Sequence, residues 1–162
     1  MTQLLWLRSD LRAHDNTALC AAMAAGPTVA VYLITPQEWL DHDDAACKVD
    51  FWLRNLRTLS NSLQQLNIPL LIRTAPSWDQ APAVLLELCQ QHGVEAVHTN
   101  QEYGIHETRR DQAVARALEA EGIQLGLGQV QVFQAVAHLL ARHDLALAIT
   151  LLGCPHTFHS QH

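Results

Sequence analysis

Apolar and polar positions come in alternating blocks along most of this chain. Short apolar runs recur at residues 4–7, 29–34, 69–73, 95–98 and from 123 onward. Each is brief and bounded by polar or turn residues, as buried strands are; Thr35-Pro36 closes the second and Ala75-Pro76 the third. The intervening segments carry helical spacing. Residues 17–25 are rich in Ala and Leu, with Asp15 or Asn16 placed as the cap and Gly26-Pro27 as the stop. Over 47–66, Trp52, Leu56, Leu59, Leu63 and Leu66 recur every three or four residues, which predicts a long amphipathic helix. Val84, Leu85, Leu88 and Cys89 mark another, with Ser77 or Asp79 placed to cap it and Gly93 to end it. A last helix is expected over 106–121, broken at Gly122. Residues 37–44 read as a polar loop carrying Trp39 and His42, whereas Trp6 and Trp52 fall on apolar faces and read as core.

Strands alternating with helices of this length require crossover connections, and these build a parallel sheet covered on both faces. The pattern therefore predicts an α/β domain over residues 1–127: a Rossmann-like parallel five-stranded sheet with helices on both faces. Beyond it the pattern fails. Residues 128–162 read as a divergent tail, apolar and helix-prone over 135–152 and then rich in histidine. Cys154, His156, His159 and His162 match no zinc-binding spacing, so no metal site is expected. Gly126-x-Gly128 lacks the third glycine and following helix of a dinucleotide fingerprint.

Composition narrows the picture. The 162 residues are 49% hydrophobic, enough for one globular core. No apolar run approaches the roughly eighteen residues of a membrane span. The opening Met1, Thr2 and Gln3 lack the basic region of a secretory signal. Cys20, Cys47, Cys89 and Cys154 are scattered without a CxxC, the pattern of reduced thiols in a cytoplasmic protein. Sixteen acidic residues against ten Lys and Arg give a net charge of −6, which argues against a phosphate-gripping nucleic-acid face for the chain as a whole.

The chemistry concentrates after the first strand, where Arg8, Asp10, Arg12, His14, Asp15 and Asn16 crowd into nine positions. The carboxyl end of a strand is where open α/β sheets bind ligands. Trp6-x-Arg8-x-Asp10-Leu11-Arg12-x-His14-Asp15-Asn16-x-Ala18-Leu19 resembles the amino-terminal signature of the DNA photolyase/cryptochrome family, most closely its bacterial cyclobutane-pyrimidine-dimer (deoxyribodipyrimidine) photolyases. Weaker matches follow in the family's order: Thr35-Pro36-x-x-Trp39, the loop with His42, Asn67-Ile68-Pro69-Leu70-Leu71, and Glu107-Thr108-Arg109-Arg110-Asp111.

That resemblance implies light-driven DNA repair, in which a reduced flavin passes an electron to a flipped-out pyrimidine dimer and an antenna chromophore feeds excitation to the flavin. It implies that this domain helps to hold the antenna, of methenyltetrahydrofolate type. His42, His106 and Glu107 would be the cofactor-binding contacts, with His106 standing where some relatives have Asn. The chemistry is compatible, because a pterin's amino-pyrimidine edge presents adjacent donors that one carboxylate accepts together. Arg8 and Asp10 are expected to organise the domain junction, mainly by ion pairing, and Lys48, Arg109 and Arg110 to be solvated or ion-paired.

No segment matches the family's flavin domain, so FAD and damaged DNA would be handled only by that missing domain. The tail is read as a frameshift product or truncated gene end. No catalytic residue and no repair by the chain alone are expected. Two other readings stand beside this one: a stand-alone nucleotide- or pterin-binding module of the same fold, and a non-functional gene remnant.

Overall fold

β1 (Thr2–Leu7) is the central strand, and its alternation generates both layers of the fold. Successive strand side chains point to opposite faces. Leu4 and Trp6 therefore enter one apolar cluster and Leu5 and Leu7 the other. β2 (Thr28–Ile34) divides in the same way, Val31 and Leu33 on the first face and Ala30 and Tyr32 on the second. β3 (Leu70–Thr74), β4 (Val94–Asn100) and β5 (Gln124–Gly128) complete a five-stranded sheet of order β3-β2-β1-β4-β5. Every pairing is parallel. The computed structural model describes residues 1–128, and Met1–Gly128 forms one compact unit. The expectations for the tail, including its cysteine and histidines, lie outside the described residues.

Helices cover both faces, as the pattern predicts. α1 (Thr17–Ala25) and α3 (Ala46–Gln65) supply Ala18, Leu19, Leu56, Leu59 and Leu63 to the cluster around Leu5 and Leu7. α4 (Ala81–His92) and α5 (Ile105–Ala120) supply Leu85, Leu88, Val114 and Leu118 to the cluster around Leu4 and Trp6. Of the two candidate caps for α1 the structure uses Asn16, whose side-chain oxygen accepts from the Leu19 N–H at 3.0 Å. Asp15 instead takes a left-handed φ of 50°. Gly93 ends α4 in the left-handed conformation, with φ 58°, that favours glycine.

Three details depart from expectation. Residues 36–41, read as loop, form a short helix α2 (Pro36–Asp41), started by a proline whose fixed φ suits the first turn and by Glu38 there. It buries no residue, so no apolar period announces it. Neither Ser77 nor Asp79 caps α4 with its side chain; the chain enters through a one-turn 3-10 helix, Trp78–Gln80, and Pro82. β4 runs on to Asn100, past the apolar run that predicts it. Cys47 and Cys89 carry free thiols.

One half-buried pair makes stability depend on pH. The His98 Nε2 lies 2.9 Å from the Gln3 side-chain oxygen, between β4 and β1, and burial holds the imidazole below its usual pKa. The fold thus favours the neutral ring, while the unfolded chain takes up its proton below about pH 6.5. Stability from this site is complete above that value and is lost as pH falls through the lower folded pKa. Urea unfolding at about pH 7.5 and about pH 5 should show a lower midpoint in acid, and His98→Gln should flatten the difference.

Candidate functional site

The site begins with two side chains on the same side of β1. Trp6 and Arg8 stand two residues apart, so both face the α4–α5 layer. Val114 and Leu118 share a helical face with Arg110 and Asp111, and that face is buried. The apolar half of α5 anchors on the sheet, and its charged amino-terminal half is thereby brought against Arg8. The Arg8 Nη1 donates to both Asp111 oxygens at 2.5 Å, and its Nη2 donates to the Asn100 carbonyl at the end of β4. The Arg110 Nη2 donates to Glu102 at 2.7 Å and to Asp111 at 2.8 Å. Ser9 donates to the other Glu102 oxygen. Burial pushes the Glu102 carboxyl up, but the bonds from Ser9 and Arg110 and the charges of Arg8 and Arg110 outweigh it, and the pKa ends below its usual value. Both guanidinium groups lie over the Trp6 ring, at 4.8 and 5.0 Å.

A second network closes the end of α1. The Asn100 Oδ1 accepts from the Ala18 N–H at 3.0 Å and the Thr17 hydroxyl at 2.7 Å. Its Nδ2 donates to Asn16 at 2.9 Å and to Asp10. The β5 backbone passes so close that a Cβ at Gly128 would meet the Asn100 Oδ1 at 2.6 Å. The α1 amino terminus, which in dinucleotide-binding sheets receives a phosphate, is filled here by the protein's own amide groups.

Above these networks lies a cleft of about 460 Å³ at the carboxyl ends of β1 and β2. The sheet order reverses between β1 and β4, the switch point where such sheets bind ligands. All four tryptophans of the chain, Trp6, Trp39, Trp52 and Trp78, line it, with Tyr32. Trp39 and Trp52 face each other with centroids 6.3 Å apart, and the Lys48 ammonium, paired with Asp44, lies 4.8 Å over Trp52. Trp78 lies 6.2 Å from His42. Burial, and then the Glu102 charge, raise the Tyr32 pKa. Two groups on the wall lack partners among the described residues. The Arg8 Nε is buried without a hydrogen bond, 3.5 Å from Glu102, and the Glu107 carboxylate makes none. Glu107 folds back over Gly104, where a Cβ would lie 1.9 Å from its Oε2, so glycine there makes room for the carboxylate.

Of the residues singled out in the sequence, His42 and Glu107 line this cleft together, whereas His106 is exposed and outside its lining. Arg8 and Asp10 are ion-paired or hydrogen-bonded organisers of the sheet edge. Arg110 is ion-paired but buried, not solvated. Trp52 is half-buried on the cleft wall, not core, because its position on α3 lies beyond the edge of the sheet's apolar cover. Sequence reasoning missed Asn100, Glu102, Trp78 and the pairing of Trp39 with Trp52. Asn100 ends β4 and Glu102 follows it, so the rule that singled out Arg8 could have found both. Among the described residues no cluster of His, Cys, Asp and Glu could hold a metal ion, and no helix is long and apolar enough to cross a membrane.

The family model for DNA photolyase matches residues 3–146. The chain belongs to the DNA photolyase family. It is 35% identical over 122 residues to a deoxyribodipyrimidine photo-lyase of Vibrio cholerae, covering 75% of this chain and 26% of that protein. Cryptochrome-1 of Arabidopsis thaliana is 35% identical over 121 residues, covering 74% of this chain and 17% of that protein. In fold it resembles an archaeal photolyase from Sulfolobus tokodaii, solved with two FAD molecules, with a TM-score of 0.69 at 22% identity, covering 80% of this chain and 29% of that one. The chain thus spans about a quarter of the length of its photolyase relatives.

In this photolyase-family domain Asp111 serves two buried arginines at once. Removing one partner of such a network leaves buried charge uncompensated, so Asp111→Ala should cost about 3–5 kcal/mol, read as a lower urea midpoint. Replacing Asp111 and Arg8 together by Leu and Met should recover part of that loss.

Proposed function

We propose that this chain is the antenna-binding α/β portion of a deoxyribodipyrimidine-photolyase-type enzyme of light-driven DNA repair, and that the tryptophan-lined cleft seats the chromophore. The observation that carries this reading is the combination of four tryptophans with an unpartnered carboxylate, Glu107, on one wall. Aromatic walls stack a planar ring, and a carboxylate selects a ring edge with adjacent N–H donors, as a pterin of the methenyltetrahydrofolate type has. His42 closes the same cleft beside Trp78. When bound, such a group absorbs light and passes the excitation on; the protein holds and orients it. FAD, damaged DNA and the repair step belong to a flavin domain outside the described residues, so the chain alone restores no dimer-containing DNA.

One observation favours the second reading, a stand-alone pterin-binding module. Among the described residues the cleft is lined by the ends of β1 and β2, by α2, α3 and α5 and by the 3-10 turn, so a ring could bind without another domain.

The test is titration of the purified chain with methenyltetrahydrofolate and, separately, FAD, followed by ligand absorbance and tryptophan fluorescence. Saturable folate binding, weakened at least about tenfold by Glu107→Ala as expected for a lost charge-assisted pair, is the expected result. Binding of neither ligand overturns the assignment of this cleft. Repair of dimer-containing DNA by the chain with added FAD under blue light overturns the assignment of catalysis to residues outside this α/β portion.

A further inference from the structure

The two walls of the cleft come from different parts of the chain, and one side chain joins them. Trp6 belongs to the central strand. Trp78 belongs to the one-turn 3-10 helix between β3 and α4, which contains no buried residue. The Arg110 guanidinium sits between the two rings, 5.0 Å from the Trp6 centroid and 4.8 Å from that of Trp78. Its own position is fixed by Glu102 at 2.7 Å and Asp111 at 2.8 Å, and its side chain is 5% exposed. Trp78 has two other constraints: its N–H donates to the Glu38 carboxylate at 3.0 Å, and its ring stands 6.2 Å from His42. The Glu38 bond fixes its backbone, and the ring itself is placed by the arginine and His42.

We propose that Arg110 is a positioning residue for ligand binding: stacked between Trp6 and Trp78, it sets the plane of Trp78 and so the width of the slot that receives a planar ring. This rests on the cleft being the chromophore site. A guanidinium is planar and stacks with both faces, while its edge keeps the two carboxylates; an ammonium keeps the charge but cannot do both. Ion pairing and ring positioning are therefore separable at this residue.

The experiment compares the full chain with Arg110→Lys, Trp78→Leu and the double variant. It reads methenyltetrahydrofolate affinity, thermal midpoint and tryptophan emission. Arg110→Lys should weaken binding about fivefold to tenfold and red-shift the emission as Trp78 moves into water, while the variant remains folded. In the Trp78→Leu background the same change should cost nothing further, because the arginine acts through that ring. Equal weakening in both backgrounds, or unchanged affinity in Arg110→Lys, overturns the proposal. If Arg110→Lys does not fold, Arg110→Gln takes its place in both backgrounds, and the same two outcomes overturn the proposal. Failure of the unmodified chain to bind the folate is a different result, one that removes the chromophore reading itself.

Discussion

Two buried arginines on one indole, paired with a buried and a half-buried carboxylate, hold this end of the domain together. Arg8 and Arg110 stack on Trp6 and share Glu102 and Asp111, so two cations and two anions leave water as a neutral set. Moving any one of them from water alone would cost several kcal/mol, and only close pairing offsets that penalty. The network joins three elements that are distant in sequence: the end of β1, the loop after β4 and the first turns of α5. It also fixes the angle at which α5 leaves the sheet edge, because Asp111 and Val114 lie on the same buried face. A hydrophobic contact there would let α5 slide along the sheet. Bonds of 2.5–2.8 Å to particular oxygens do not.

The rigidity so produced explains why the cleft sits where it does. The Asn16 and Asn100 amides satisfy the first turn of α1, and Asn100 ties that turn to Asp10. The Ala18 and Leu19 N–H groups at the helix end are thereby already bonded within the protein. What remains open is the space between Trp6, Trp78 and the Trp39–Trp52 pair. Its walls come from α2, α3 and the 3-10 turn, elements that contribute little or nothing to the core at those points.

The layered fold was legible because burial imposes a period on the sequence. Strands covered on both faces read as continuous apolar runs, and α3 shows its three- and four-residue spacing plainly. α2 was not legible, since it buries nothing and so carries no period. β4 runs further than its apolar residues suggest, to Asn100, because the strand's last residues are spent on hydrogen bonds and not on the core. The site was legible only in part. Glu107 and His42 were reached through motif positions. The tryptophans misled: an aromatic at helical spacing reads as core, and only the geometry shows that Trp52 stands past the last packed turn of α3. Arg110 was legible as a charge but not as a buried one, because its burial depends on Glu102, Asp111, Trp6 and Trp78 converging from four segments.

The allocation of charge also says what kind of ligand the cleft favours. Each Lys or Arg on its wall is already paired: Arg8 with Asp111, Lys48 with Asp44, Arg110 with Glu102 and Asp111. An incoming phosphate would have to displace a carboxylate to gain a cation, and it would meet Glu38 and Glu107 at the same wall. An uncharged ring displaces nothing. On the proposed reading it gains stacking area from the indoles and places N–H donors on Glu107. The ionic network therefore does two things for recognition: it holds the aromatic walls in place, and it withdraws from the cleft the cations that would otherwise attract nucleotides.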